Sequence, residues 1–174
     1  MISVAVIGGG ASGMAFAVAL KQKRPDIEVT VFEKNPKVLK KILVTGNGRC
    51  NILNFDAVAE NYFEACEFVR PAVEKYAPKK TEAIFRDMGL LLMSEQEGRA
   101  YPISQTAASV VCVLSSAAER AGVKVFTDTP VKSIKKSQGG FVINNDKSFN
   151  FAVIACGGAA APKQGTDGSS FELF

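Results

Sequence analysis

The sequence contains no histidine among its 174 residues. Catalytic triads of the Ser-His-Asp and Cys-His types need a histidine as general base, and many metal sites need its imidazole. Both kinds of site are therefore excluded. The four cysteines, Cys50, Cys66, Cys112 and Cys156, show no Cys-x-x-Cys spacing. This pattern argues against a structural zinc and a thioredoxin-type pair, so we expect no metal and reduced thiols in a cytoplasmic protein.

The excess of positive charge is also small, with 21 lysines and arginines against 17 acidic residues. A net charge of +4 that is scattered along the chain predicts no nucleic-acid partner. The uncharged stretch from Ile2 to Leu20 has the length of a membrane segment, but a glycine cluster interrupts it and no basic residues precede it. A buried strand, turn and helix explain this stretch better, so we expect no membrane partner.

The first thirty-five residues have the order of a βαβ unit. An uncharged, β-branched run, Ile2–Ile7, predicts a strand that is buried on both faces. A G-x-G-x-x-G segment follows at residues 8–13, and the Ala-rich segment Met14–Leu20 predicts a buried helix. A second apolar run, Ile27–Phe32, predicts the next strand.

Each part of this unit suits a dinucleotide. Gly8 would make the tight turn, Gly10 would let the backbone approach a pyrophosphate, and Gly13 would let the helix pack closely on the strand. The helix N-terminus favours an anion. Glu33 lies twenty residues after Gly13 (33 − 13), where a carboxylate can bind ribose hydroxyls, and an acid there favours FAD or NAD over NADP although Lys34 follows it. The alternative is an ordinary Gly-rich turn with a solvated Glu33.

A second glycine-rich loop lies between Thr45 and Asn51. Its two glycines flank Asn47 and precede Arg49, which predicts positive φ angles and backbone N–H groups available to an anion. The arginine suits a phosphate or a carboxylate. A hairpin turn with a surface arginine explains the same residues equally well.

The middle of the chain reads as helices and a hairpin. Residues 57–77 and 82–88 have helical patterns, and we expect Pro71 to interrupt the first and Thr81 to cap the second. A hairpin is expected between residues 90 and 102.

The second half predicts more of an α/β sheet. Thr106–Ala121 has the apolar face of a strong helix, with Cys112 near that face and expected in the core, and Val123–Thr127 reads as a third parallel strand. Three short strands with tight turns between residues 131 and 155 predict an antiparallel β-meander. The last of these runs ends in glycines at residues 157 and 158, which places a loop at the carboxyl edge of the sheet, where doubly wound folds bind ligands.

Together these motifs resemble the aminoacetone oxidase-like FAD-dependent oxidoreductases, a family that includes a flavoprotein of bile-acid dehydroxylation and is related to glutathione-reductase-type FAD folds. The hallmark loop of the family is matched by Thr45–Asn51. Gly98–Pro102 matches its Gly-Arg-aromatic-Pro segment with one residue inserted, and Gly165–Gly168 is a shortened form of its Gly-x-Thr-Gly-Asp-Gly loop. Ala155–Gly158 matches a strand end of the family, with Cys156 where threonine is usual.

The resemblance implies a Rossmann-type FAD-binding domain with a parallel sheet and a small antiparallel meander. It implies that residues 8–13 hold the pyrophosphate, Glu33 the adenosine ribose, and Val131 the adenine through its backbone. The loop around Arg49 would approach the phosphates and the flavin. The expected cofactor-binding residues are Gly8, Gly10, Ala11, Ser12, Gly13, Glu33, Lys34, Asn47, Gly48, Arg49, Cys50, Val131, Cys156, Gly157 and Gly158.

The family pattern runs to about 400 residues, which is more than one domain. We therefore expect residues 1–174 to be an FAD-binding domain that is incomplete at its C-terminus and lacks the substrate-side domain. Ser169–Phe174 reads as a helix just begun, and Phe171, Leu173 and Phe174 would expose apolar surface. No catalytic residue is assigned, because the substrate pocket would lie largely outside these residues. Cys50 is either a redox thiol or, more simply, a packed loop residue.

The expected function is the FAD-binding part of a flavin oxidoreductase that acts on a small molecule. The reaction would be oxidation of an amine or amino ketone, or a reduction with NAD(P)H as electron donor. Two alternatives stay open at this point: an NAD-dependent dehydrogenase with the same βαβ start, and a nucleotide-binding module without catalysis.

Overall fold

The computed structural model of the chain describes residues 1–160 and 162–173. In chain order, its strands and α-helices are β1 (Ser3–Ile7), α1 (Ala11–Lys23), β2 (Glu28–Phe32), β3 (Leu53–Asn54), α2 (Cys66–Lys75), α3 (Pro78–Asp87), β4 (Leu92–Ser94), β5 (Arg99–Pro102), α4 (Ala107–Arg120), β6 (Lys124–Phe126), β7 (Ile134–Ser137), β8 (Gly140–Ile143), β9 (Lys147–Phe149) and β10 (Phe151–Ile154). They form two compact units. The first consists of Met1–Ile42 and the segment that starts at Leu114, and the second is Leu43–Val113.

A four-stranded parallel sheet forms the centre of the first unit. Its strand order is β10-β1-β2-β6. Val6 in β1 pairs with Val31 in β2 on one side and with Val153 in β10 on the other. The side chains of Val6 and Val31 are fully buried, as expected for central strands made of β-branched residues. The predicted α/β fold with a Rossmann-type parallel sheet is confirmed.

Helix α1 packs against β1 and β2, but it is not buried all round. Gly13, Met14, Ala17 and Val18 form its buried face. Phe16, on another side of the helix, is 39% exposed. The sequence predicted a buried helix because almost every residue there is apolar, and that prediction holds for the inner face but not for the outer one. Only the face toward the sheet is covered.

The predicted antiparallel meander is present as the three-stranded sheet β7-β8-β9. The prediction of its third strand was wrong, because the run that ends at residue 155 was expected to complete the meander. Instead, residues 147–149 form β9 of the meander, and residues 151–154 form β10 of the parallel sheet. Asn150 separates β9 from β10, and its side-chain Oδ1 accepts a hydrogen bond of 2.8 Å from the backbone N–H of Ser3. Phe149 and Ile143 from the meander join Ile7 and Phe32 from the parallel sheet in one buried apolar cluster.

The second unit contains the small antiparallel sheet β3-β5-β4 and the helices α2 and α3. The predicted hairpin is confirmed by β4 and β5, in which Met93 pairs with Tyr101. The two helix boundaries were predicted wrongly. Pro71 lies inside α2 without ending it, and α3 starts at Pro78, whose fixed φ angle suits the first turn of a helix. Thr81 lies within α3, where its hydroxyl donates to the carbonyl of Tyr76 at 2.8 Å.

Two expectations about burial were also wrong. Cys112 is exposed, because the buried face of α4 runs through Val110 and Leu114 and a residue two positions from each points to the opposite side. Leu173 was expected to expose apolar surface, but it packs against the cluster around Phe32 and Phe149. Phe171 is 60% exposed, as expected. Phe174 lies outside the described residues.

The contact between α1 and β1 generates a prediction about stability. A Cβ atom added at Gly13 would lie 2.0 Å from the carbonyl oxygen of Gly8, and neither backbone can move away easily. We expect Gly13→Ala to lower the free energy of unfolding by about 3 kcal/mol or more. Chemical denaturation followed by circular dichroism measures this change.

Gly10→Ala is the matched control, because a Cβ at Gly10 would meet nothing within 4 Å. Its φ angle of −77° is open to alanine, so the loss should stay below about 1 kcal/mol. Equal losses for the two variants would show that close packing at Gly13 does not stabilise the unit.

Candidate functional site

The glycine-rich loop after β1 is shaped by two glycines that the fold itself requires. Gly8 has a φ angle of +111°, and a Cβ there would lie 2.5 Å from the carbonyl oxygen of Ala155. Its N–H donates to the carbonyl of Phe32 at 2.8 Å. Gly13 lies directly above Gly8 in the first turn of α1, as the close approach of their backbones shows. Side chains at either position would collide with backbone atoms of the protein.

Gly10 is different, because the protein does not fill the space beside it. Apart from Gly10 itself and its two chain neighbours, the described residues place no atom within 4 Å of a Cβ built there. Gly10 caps α1, and its carbonyl accepts the N–H of Met14 at 3.0 Å. Ala11 and Ser12 follow as exposed residues in the first turn, where helical N–H groups have no partners within the helix. The open space therefore lies beside a helix N-terminus, an arrangement that suits an anionic group.

Glu33 lies directly after β2 and is 7% exposed. Its Oε2 accepts the backbone N–H of Gly9 at 2.8 Å. Its Oε1 accepts the backbone N–H of Asn35 at 2.8 Å and the side-chain Nδ2 of Asn35 at 2.6 Å. A carboxylate offers about four acceptor positions, so within the described part of the chain one remains for a ligand hydroxyl.

Asn35 was not among the predicted site residues, and Gly9 was included only as part of residues 8–13, for the pyrophosphate. Gly9 orients the carboxylate of Glu33 through its N–H, and its carbonyl accepts the N–H of Leu39 at 2.8 Å. Asn35 holds the other oxygen of Glu33 with two donors. The sequence carried a signal for both, since Gly9 completes a run of three glycines and Asn35 lies two residues after the acid.

Lys34 is partly exposed, and its ammonium is tied to the later segment around residue 167. Its Nζ donates to Oδ1 of Asp167 at 2.8 Å and to Oγ of Ser169 at 3.2 Å. The Lys34 ammonium and the bonds from Ser169 hold the pKa of the Asp167 carboxyl well below its usual range. Asp167 therefore stays ionised near neutral pH, and the charge of Lys34 is compensated there.

The carboxyl end of β10 lies beside the glycine loop. The thiol of Cys156 donates to the carbonyl of Ile7 at 3.2 Å, and burial raises the pKa of that thiol. Gly157, with a φ angle of +74°, and Gly158 follow as exposed residues. Val131 is half-buried and packs against the cluster around Phe32. The structure thus places Cys156 next to Gly8, whereas the side chain of Val131 packs against the apolar core.

The predicted residues Asn47, Gly48, Arg49 and Cys50 belong to the second unit. Positive φ angles occur at Asn47 (52°), Gly48 (81°) and Cys50 (62°), as the sequence predicted for this loop. Cys50 is buried, with 5% of its surface exposed, and its thiol is free. Burial at this level fits the packed loop residue better than an accessible redox thiol.

Arg49 has protein partners on several sides. Its Nη1 donates to both carboxylate oxygens of Glu95, at 3.0 and 3.1 Å, and to Oε1 of Gln105 at 3.0 Å. Its guanidinium lies 4.0 Å from the centre of the Tyr101 ring, a cation–π contact. These contacts hold the loop in place. They also give the Arg49 guanidinium hydrogen-bond acceptors and a negative charge that a phosphate would otherwise provide.

Across residues 1–160 and 162–173, no three His, Cys, Asp or Glu side chains come together as a metal site would need. None of the helices in this part of the chain is both long and apolar enough to cross a membrane.

Comparison with solved structures supports the fold. Glycine oxidase from Bacillus cereus superposes with a TM-score of 0.53 at 14% identity, over 94% of this chain and 57% of that one. At this identity the likeness concerns the fold alone.

Two curated relatives match the sequence almost from end to end. The chain is 38% identical to a 3-dehydro-bile acid delta(4,6)-reductase of Clostridium scindens, over 99% of this chain and 43% of that protein. It is 24% identical to a ribosomal RNA dihydrouridine synthase of Haemophilus influenzae, over 97% of this chain and 43% of that protein. The chain thus spans less than half the length of these relatives.

The family comparison agrees with the motifs and with the geometry of the glycine loop. The model of the HI0933-like protein Rossmann domain matches residues 2–174. The resemblance found in the sequence is thereby confirmed, and the chain belongs to the HI0933-like family as its Rossmann domain.

Proposed function

We propose that this chain binds FAD and forms the dinucleotide-binding part of a flavin-dependent oxidoreductase that acts on a small molecule. One observation carries the proposal. Of the three glycines in the fingerprint, Gly8 and Gly13 are required by close contacts within the protein, whereas the space beside Gly10 is open. A pyrophosphate site needs a glycine at a helix N-terminus where the ligand, and not the packing of the protein, requires the absence of a side chain.

The residues present fit FAD. The open side of Gly10 and the exposed first turn at Ala11 and Ser12 would take the pyrophosphate. Glu33 would bind the adenosine ribose with its remaining acceptor position, held in orientation by Gly9 and Asn35. When bound, FAD supplies the hydride and electron chemistry, and the protein positions it.

The other predicted residues are assigned more peripheral roles. Val131 would meet the adenine through its backbone, and Cys156, Gly157 and Gly158 would border the cofactor at the end of β10. The resemblance implies that the loop Asn47–Cys50 approaches the phosphates and the flavin. Within the loop, however, the N–H groups of Gly48, Arg49 and Cys50 already donate to the carbonyls of Thr45 and Gly46. Arg49 is paired with Glu95. We therefore propose that its main role is to hold the conformation of this loop, and that it contributes little net positive charge to the cofactor site.

The names of the two curated relatives point to one reaction class. A delta(4,6)-reductase and a dihydrouridine synthase both reduce carbon–carbon double bonds, on very different substrates. We propose reduction of such a bond in a small molecule, with NAD(P)H as electron donor, in a cytoplasmic enzyme. The higher identity to the bile-acid reductase and the modest net charge of +4 favour the small molecule over RNA.

Cofactor analysis tests the proposal directly. The purified chain, supplied with FAD and desalted, should absorb in the flavin bands, and mass spectrometry of the extract should identify FAD. Binding of NAD alone would favour a nicotinamide-dependent dehydrogenase instead. Bound FAD that NAD(P)H never reduces, in this chain and in a longer form of the protein, would favour a module without catalysis.

Gly10→Val tests the open space. The side chain would occupy the volume that the pyrophosphate needs, while contacts at Gly8 and Gly13 stay intact. We expect a native circular dichroism spectrum and loss of flavin from the desalted protein. A folded variant that still retains stoichiometric FAD would contradict the assignment of the site.

Glu33→Gln tests the ribose contact. The change keeps the size of the side chain but replaces one acceptor oxygen by a donor group, so either the ribose or a backbone N–H loses its partner. We expect FAD affinity to fall by about 1–3 kcal/mol. Fluorescence titration measures the affinity, and thermal unfolding without FAD separates a loss of stability from a loss of binding. Unchanged affinity would show that Glu33 does not contact the cofactor.

A further inference from the structure

The segment that follows β10 returns to the turn after β2 and packs on it. A Cβ at Gly165 would lie 2.7 Å from Nδ2 of Asn35, the side chain that holds Glu33. Gly165 has a φ angle of +91°, so its backbone is suited to this close approach only as glycine. Two stretches of chain about 130 residues apart therefore meet at the proposed ribose end of the site.

Three residues, Lys34, Asp167 and Ser169, form a hydrogen-bonded cluster between the same two stretches of chain. Oδ1 of Asp167 accepts Nζ of Lys34 at 2.8 Å, and it also accepts the N–H and the hydroxyl of Ser169 at 3.1 and 2.6 Å. Lys34 Nζ adds a bond to Oγ of Ser169. Asp167 is held by several donors, so its carboxylate is fixed in place beside the lysine more firmly than in an isolated surface pair.

Lys34 occupies a position that matters for nucleotide choice. It follows Glu33 directly at the end of β2, where sites for 2′-phosphorylated nucleotides use a basic residue to receive the phosphate. The formal charges of Glu33, Lys34 and Asp167 sum to −1, which repels a 2′-phosphate. The lysine alone would attract it.

We infer that Asp167 is a specificity-determining residue, which by engaging Lys34 makes the site select adenine dinucleotides with a free 2′-hydroxyl over 2′-phosphorylated ones. This inference rests on the proposed function, because it concerns the ribose end of the same site. It assigns a role to Asp167 and Ser169, which the nucleotide fingerprint does not include.

A matched pair of ligands isolates the 2′ position. ADP-ribose and 2′-phospho-ADP-ribose both carry the pyrophosphate and differ only in the 2′-phosphate. Isothermal titration of the purified chain gives the ratio of their dissociation constants. We expect the wild type to bind ADP-ribose at least about tenfold more tightly. In Asp167→Asn this preference should fall by about fivefold or more, because the lysine is released and one negative charge is lost.

Two further variants separate the specific effect from a general one. The double variant Asp167→Asn/Lys34→Gln should regain the wild-type preference, since the released cation is gone. Asp146→Asn, in the turn between β8 and β9, removes one negative charge elsewhere and should leave the preference unchanged. Asp146 is exposed, so this control is not expected to disturb the fold.

Each result has a distinct meaning. An unchanged preference in Asp167→Asn, with ADP-ribose still bound, overturns the inference and leaves the proposed function standing. A reduced preference that the double variant does not restore overturns the role of Lys34 and so the inference. If the wild type binds neither ADP-ribose nor FAD, the proposed function fails and the inference falls with it. If Asp167→Asn does not fold, Ser169→Ala, which removes two hydrogen bonds of the cluster, should show a smaller fall in the same ratio, and no fall overturns the inference.

Discussion

The buried carboxylate of Glu33 is the constraint on which the candidate site depends. Removing a charged carboxylate from water is costly unless donors replace the lost hydration. Here the backbone of Gly9 and both N–H groups of Asn35 replace it. The bond from Gly9 connects the glycine loop after β1 to the end of β2, so the protein itself holds these two parts of the candidate site in one geometry.

The local elements of the first unit could be predicted because their signals are strong and short in range. The run Ile2–Ile7, the glycines at residues 8–13 and the run Ile27–Phe32 each determine their own conformation, and parallel pairing follows from the right-handed crossover through α1. The same holds for the glycine-rich loop at Asn47, because its residue types predict the left-handed backbone that the structure shows. Most of the fold therefore follows from pattern alone.

What could not be predicted depends on contacts between distant residues. The apolar face of α4 was predicted correctly, but Cys112 was placed near it in the core, although it lies two positions from both Val110 and Leu114 on that face. Leu173 finds its apolar partners in the cluster around Phe149, which no local pattern shows. The contact of Lys34 with Asp167 spans 133 positions, so the sequence indicated a basic residue beside the acid but not that its charge is compensated.

The three fingerprint glycines divide into two physical roles, and this division separates folding from binding. Backbone atoms of the protein leave no room for a side chain at Gly8 or Gly13, so we expect substitutions there to lower stability. Among the described residues nothing packs beside Gly10, so we expect a change there to act on binding more than on stability. A loop that served packing alone would need no third glycine, because alanine fits at Gly10 with an ordinary φ angle. The open position is therefore the part of the motif that packing within the described residues does not explain, and this supports the proposal that an anion binds there.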